Sequence, residues 1–203
     1  MSARSRFAIA LIVVVAVTGV TWANLAKEAE AKNYRGPFQG RVVDAETRAP
    51  IEGAVVFVEW HIRHMGAGDT FYDATEVLTD ANGAFSISSK WSWNPWTNVV
   101  MDSSFTIFKA GYGHVHAHWT TLHESAKFLA QLPPEKRIGT PSLYYNIDFE
   151  DDVPIFLVKK LDTTRERALN LPDSSSAPPN QKQLLMREIN AERAALGADA
   201  VTD

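Results

Sequence analysis

The sequence predicts an all-β protein: an antiparallel Greek-key β-sandwich of about seven strands, with an N-terminal signal or anchor helix and a C-terminal helical tail. Three observations lead there. Short runs rich in β-branched and aromatic residues recur along the middle of the chain. Turn residues separate them, and no long helical period intervenes. The 203 residues are 45% hydrophobic and 22% charged, a globular composition.

The chain opens with Arg4 and Arg6 before an apolar run from Phe7 to Trp22. A basic start, an apolar stretch and then small residues form the pattern of a secretory signal. Thr21-Trp22-Ala23 offers a small-x-small cleavage site, and Ala29-Glu30-Ala31 a second one further on. Residues 1–23 are therefore expected to be a cleaved signal peptide or an uncleaved membrane anchor, followed by a linker over 24–36. The expected location is extracytoplasmic, with membrane contact only through an uncleaved N-terminal segment. Removing residues 1–23 takes away two arginines and leaves 18 basic against 24 acidic side chains, a charge of −6.

The sandwich is expected over 37–161. Phe38 to Asp44 is a first strand, favoured by Val42 and Val43. Ala45 to Gly53 supplies turn residues, including Pro50. Ala54 to Ile62 is the clearest strand. By the two-residue period Val56, Val58, Trp60 and Ile62 share one face, with Val55, Phe57, Glu59 and His61 on the other. Glu76–Thr79 and Ala84–Ser88 flank Asn82-Gly83, which reads as a hairpin. Phe105 to Lys109 is a strand closed by Gly111, Tyr112 to Trp119 alternates, and Pro154 to Leu161 is the last apolar run. The expected core contains Val56, Val58, Trp60, Phe85, Ile87 and Ile107.

Three pieces of this region carry a resemblance. Gly40-Arg41-Val42-Val43-Asp44, Thr47 and Pro50-Ile51-Glu52-Gly53-Ala54-Val55-Val56 resemble the opening of carboxypeptidase regulatory-like domains. Thr79-Asp80-Ala81-Asn82-Gly83-Ala84-Phe85-Ser86-Ile87 is similar to the hairpin of that family, and Phe108-Lys109-Ala110-Gly111-Tyr112 to its lysine, glycine and tyrosine segment. The resemblance spans roughly 37–161 and implies a transthyretin-like (prealbumin-like) sandwich without an activity of its own. The segments from His64 to Thr75 and from Lys90 to Ser104, and the histidines after Gly111, depart from the family pattern.

Composition narrows the function. A formal charge of −4 disfavours nucleic acid as a partner. The absence of cysteine removes disulfides, thiolate metal sites and a thiol nucleophile. The zinc-protease pairing of histidine and glutamate is missing, as are the serine-hydrolase elbow and a phosphate-binding glycine loop. Related sandwiches hold iron through two tyrosines and two histidines, but no motif places Tyr144, Tyr145, His114 and His116 in that role. No catalytic residue or required cofactor is expected. The primary expectation is a non-catalytic module that binds a protein or cell-envelope component.

Two alternative readings rest on clusters. His114, His116 and His118 alternate, so a strand would place them on one face, neighbours about 7 Å apart. Two of them with His61 or His64 would suit Zn²⁺ or Cu²⁺. His116, at the centre, would be the indispensable ligand. Trp91, Trp93 and Trp96 would suit a sugar ring, or else cap the sandwich. Asp148, Glu150, Asp151 and Asp152 read as a solvated turn ahead of a calcium site.

The tail, 162–203, is expected to begin weakly helical and cross a linker from Pro172 to Pro179. It then forms an amphipathic helix over Gln181 to Leu196, docked on the sandwich or on a partner.

Overall fold

Phe38, Val42, Val56, Val58 and Trp60 close on one another because strand alternation delivers them all to one interior. In the computed structural model that interior lies between two four-stranded sheets. The structure describes residues 36–64, 68–90, 100–118, 145–151, 153–173 and 175–201. The expected signal segment, Trp91, Trp93, Trp96, His123, Tyr144 and Asp152 lie outside them, as do the side chains of His64 and Tyr145. The described residues belong to one compact unit, Tyr34–Asp203.

Among the described residues eight strands form: β1 (Phe38–Asp44), β2 (Val55–His64), β3 (Gly68–Leu78), β4 (Ala84–Ile87), β5 (Val100–Phe108), β6 (Val115–His118), β7 (Tyr145–Glu150) and β8 (Val153–Val158). One sheet has the order β4-β1-β8-β7 and the other β3-β2-β5-β6. The molecule is thus mostly β, in two antiparallel-rich sheets. It is not wholly antiparallel, because β1 and β8 pair in parallel, from Arg41 opposite Ile155 to Asp44 opposite Val158. Over a hundred residues separate these strands, so no tight turn forces them antiparallel.

All six expected core residues are buried in the intersheet cluster. The Phe38 ring packs on Trp60 at 6.1 Å and edge-on to Phe105 at 4.8 Å. Gly40 makes room for Phe85, since a Cβ there would meet that ring at 2.7 Å. Burying each such large apolar side chain contributes about 1.5–3 kcal/mol.

The structure corrects three local expectations. Asn82-Gly83 is not a two-strand hairpin: β3 pairs with β2, whereas β4 pairs with β1, so the turn carries the chain between sheets. Asp80 shapes it by accepting the Asn82 and Ala84 amides, each at 2.8 Å. Gly83, at φ +71°, lies against the Val42 carbonyl where a Cβ would collide. Second, the strand expected over Glu76–Thr79 is longer: β3 runs from Gly68 to Leu78 along the sheet edge. Third, the acidic cluster is divided. Asp148 and Glu150 sit on β7, and only the turn at Asp151, φ +50°, is a reversal. Their carboxylates pair with arginines, Arg48 at 3.3 Å and Arg41 at 3.6 Å. These pairs reach from the β1 side to β7 across the intervening strand β8, whose Ile155 and Leu157 are buried in a small cluster with Val43.

After β8 the chain forms α1 (Thr164–Leu169), a short 3-10 turn (Pro179–Gln181) and α2 (Gln183–Ala195). Thr163 caps α1 by accepting the Glu166 amide, and its hydroxyl donates to the Glu166 carboxylate. Leu185 and Ile189 of α2, with Ala177, bury against Val55, Phe57, Ala74 and Phe108 on the outer face of the second sheet. The tail therefore docks on its own domain.

Candidate functional site

On β2 the outward residues run Val55, Phe57, Glu59, His61. The first two go under α2. Glu59 continues the same row, so the tail buries its carboxylate to 8% exposure. A buried carboxylate needs donors. Ser175 and Ser176 in the tail supply them, their hydroxyls donating to Glu59 Oε1 at 2.7 and 3.2 Å.

Register places the histidines beside this group. Glu59 lies opposite Ser104, which lies opposite His118, and Phe57 opposite Thr106, which lies opposite His116. Val115 points into the core, so His116 and His118 point outward on the tail side. His114 is tied to the tail at Asn170. Its amide donates to Asn170 Oδ1 at 3.0 Å, and its Nδ1 lies 2.9 Å from the Asn170 carbonyl oxygen. A carbonyl only accepts, so Nδ1 carries a proton, and the tautomer selected for the neutral imidazole has its lone pair on Nε2.

Between sheet and tail a cleft of about 260 Å³ remains. Glu59, Thr106, His114 and His116 form its floor. Pro172, Asp173 and Ser175 form the tail wall, with Leu185 beneath. Desolvation there, followed by the neighbouring His118 and His114, holds the His116 pKa below its ordinary value, against the opposing pull of Glu59 and Asp173. Thr106 Oγ1 and His116 Nδ1 approach at 3.5 Å, the outer limit of a hydrogen bond and too long for an activated hydroxyl.

The alternation of His114, His116 and His118 on one face is as expected, yet each takes a different neighbour. His118 Nδ1 is 3.4 Å from Asp102 Oδ2, and the His116 and His118 rings meet edge to face at 5.7 Å. His61 does not converge with them. Strand β5 stands between β2 and β6, and His61 is in register with Asp102, beyond the β6 pairing. Its Nε2 contacts Ser176 Oγ at 3.3 Å, and its ring packs on Phe71. Among the described residues no group of three or more His, Asp or Glu side chains is placed to hold a metal ion.

Sequence reasoning missed Glu59 and Asp173 as partners of the histidines, because 55 and 59 positions of chain separate them from His114. One signal was present: a carboxylate continuing the otherwise apolar outward row of Val55 and Phe57 must be partnered if that row is covered.

No family model matches the chain, and neither a curated protein nor a solved structure matches it. Among the described residues no helix is long and apolar enough to cross a membrane.

Proposed function

We propose that the chain is a non-catalytic, extracytoplasmic β-sandwich module that binds a protein or cell-envelope component, and that the cleft between β6 and the tail is its recognition site. The observation that carries this reading is the convergence of Glu59, His114, His116 and Asp173 on one open cleft, at a seam that the tail otherwise seals with apolar contacts. Recognition sites are characteristically preformed concave surfaces on which positioned polar groups fix the orientation of what binds. The export signature of residues 1–23 supports the location. Within this reading the sandwich is of the transthyretin-like Greek-key type found in carboxypeptidase regulatory-like domains. In support, the resembling pieces fall on β1, on the entry to β2, on the Asp80–Gly83 turn with β4, and on the turn after β5.

The experiment is capture of binding partners from envelope extract by the wild-type chain and by Asp173→Asn, with quantitative mass spectrometry. A partner retained by the wild type and lost by the variant supports the cleft. Identical captures by both chains remove it.

A further inference from the structure

We propose that the cleft receives the ammonium or guanidinium head of a lysine or arginine side chain from a partner protein. The inference rests on the recognition-module reading and adds the chemistry of what is recognised.

Three side chains that line the cleft, Glu59, Asp173 and His114, offer acceptors. Ser175 and Ser176 both bond Oε1 of Glu59, which leaves Oε2 its lone pairs. Asp173 brings a second carboxylate, on the exposed wall. The Asn170 carbonyl fixes a proton of His114 on Nδ1, so the acceptor position of the neutral imidazole is Nε2. Among the described residues neither lysine nor arginine lines the cleft. Lys182 is buried behind Ser175, where its ammonium donates to the Ser175 carbonyl at 3.4 Å, and Arg167 is bound to Glu192. His116 supplies no counter-charge at neutral pH, because desolvation, His118 and His114 keep its ring neutral despite Glu59 and Asp173. Two carboxylates therefore face a space whose lining, among the described residues, holds no lysine or arginine.

Shape selects among cations. The acceptors are spread around about 260 Å³ and do not converge on one point, as a metal ion requires. A group with several divergent N–H donors satisfies spread acceptors, and ammonium and guanidinium heads carry three and five. Pro172 and Leu185 add an apolar surface against which the methylene stem of such a side chain can lie.

The test is calorimetric titration of the full chain at pH 7.5 and low salt. The cationic probes are n-butylammonium and agmatine, with n-butanol and butyrate as neutral and anionic controls. Zn²⁺ serves as the metal probe, and an acetylated, amidated Gly-Arg-Gly peptide as the protein-derived form. Both cations and the peptide should bind, about tenfold or more tighter than butanol, because charge-assisted hydrogen bonds are roughly twice as strong as neutral ones. Asp173→Asn should weaken them about tenfold. Glu59→Gln, checked by circular dichroism for an intact fold, should do the same.

Equal binding of butanol or butyrate would overturn the assignment, as would cation binding unchanged in both variants. So would stoichiometric Zn²⁺ binding abolished by His116→Ala. Agmatine bound with the peptide rejected would make the ligand a free amine and overturn the side-chain source. If no probe binds while partner capture is still lost on Asp173→Asn, the cation chemistry fails and the module reading stands. If capture is also unchanged, the module reading falls with it.

Discussion

Arg167 of α1 and Glu192 of α2 are joined by two parallel bonds, Nε to Oε1 at 2.6 Å and Nη2 to Oε2 at 2.7 Å. Glu192 is 1% exposed and also accepts the Gly111 amide at 3.0 Å, while its neighbour Glu188 accepts that of Ala110. One buried carboxylate thus ties both tail helices to the turn after β5. Arg167→Ala should destabilise the protein by about 3–5 kcal/mol in urea unfolding, since it strands a buried charge. Replacing both residues, Arg167→Met with Glu192→Leu, should cost less than the single change. A single change costing under about 1 kcal/mol, the level of an exposed pair, would contradict this role.

The start of α2 has no capping side chain of its own. Glu76 on β3 supplies it, accepting the Leu184 and Leu185 amides at 2.7 and 3.0 Å. Glu76→Ala should cost about 1 kcal/mol. In hydrogen exchange the amides of Leu184 and Leu185 should lose protection while Val56 and Ile107 keep theirs. Uniform loss across both regions would show that the contact is not local.

Trp60 is fully buried against Phe38, with Lys90 Nζ 5.6 Å from its ring centroid. Trp60→Ala should cost about 3–5 kcal/mol by equilibrium unfolding. A loss below about 1 kcal/mol would place the ring outside the cooperative core.

Two groups set the acid side of the stability curve. The folded state holds His116 below its ordinary value of 6.5, so it favours the neutral ring. That stability is complete above pH 6.5 and is lost as pH falls through the lower folded value. Burial opposes ionisation of Asp44, but the Thr47 amide and hydroxyl, the Glu46 amide and Lys160 outweigh it and hold its pKa below 3.8. Its contribution is complete above that value and disappears below it. Melting temperature should therefore fall in two steps on acidification. His116→Gln should remove the first and Asp44→Asn the second. A melting temperature that rises between pH 7 and pH 5.5 would contradict the sign for His116.

How much of this was legible depended on whether the determinant was local. The core face of β2 follows from alternation alone, because Val56, Val58 and Trp60 are buried whatever strand lies beside them. The Asp80–Gly83 turn was legible for the same reason, since Asp80 bonds amides two and four residues away. The partners of β3 and β4 were not, because a turn fixes a reversal and not the sheet each strand joins. Residues 68–75 of strand β3 and strand β7 were missed because edge strands carry polar residues such as Asp69, Asp73, Asn146 and Asp148, which read as loop. The cleft was half legible. The shared face of His114, His116 and His118 comes from period two, whereas Asp173 reaches them only through tail docking, which is set by Leu185 and Ile189.

The recognition of a cationic head by the cleft is tested most directly by following the six histidine Cε1–H resonances of the full chain by NMR during titration with n-butylammonium. His114 and His116 line the cleft, whereas His61 lies on the same sheet face outside it. The account predicts saturable shifts at His114 and His116, none at His61, and loss of the shifts in Asp173→Asn. Shifts of equal size at His61, or shifts at His114 and His116 that persist in Asp173→Asn, would contradict it.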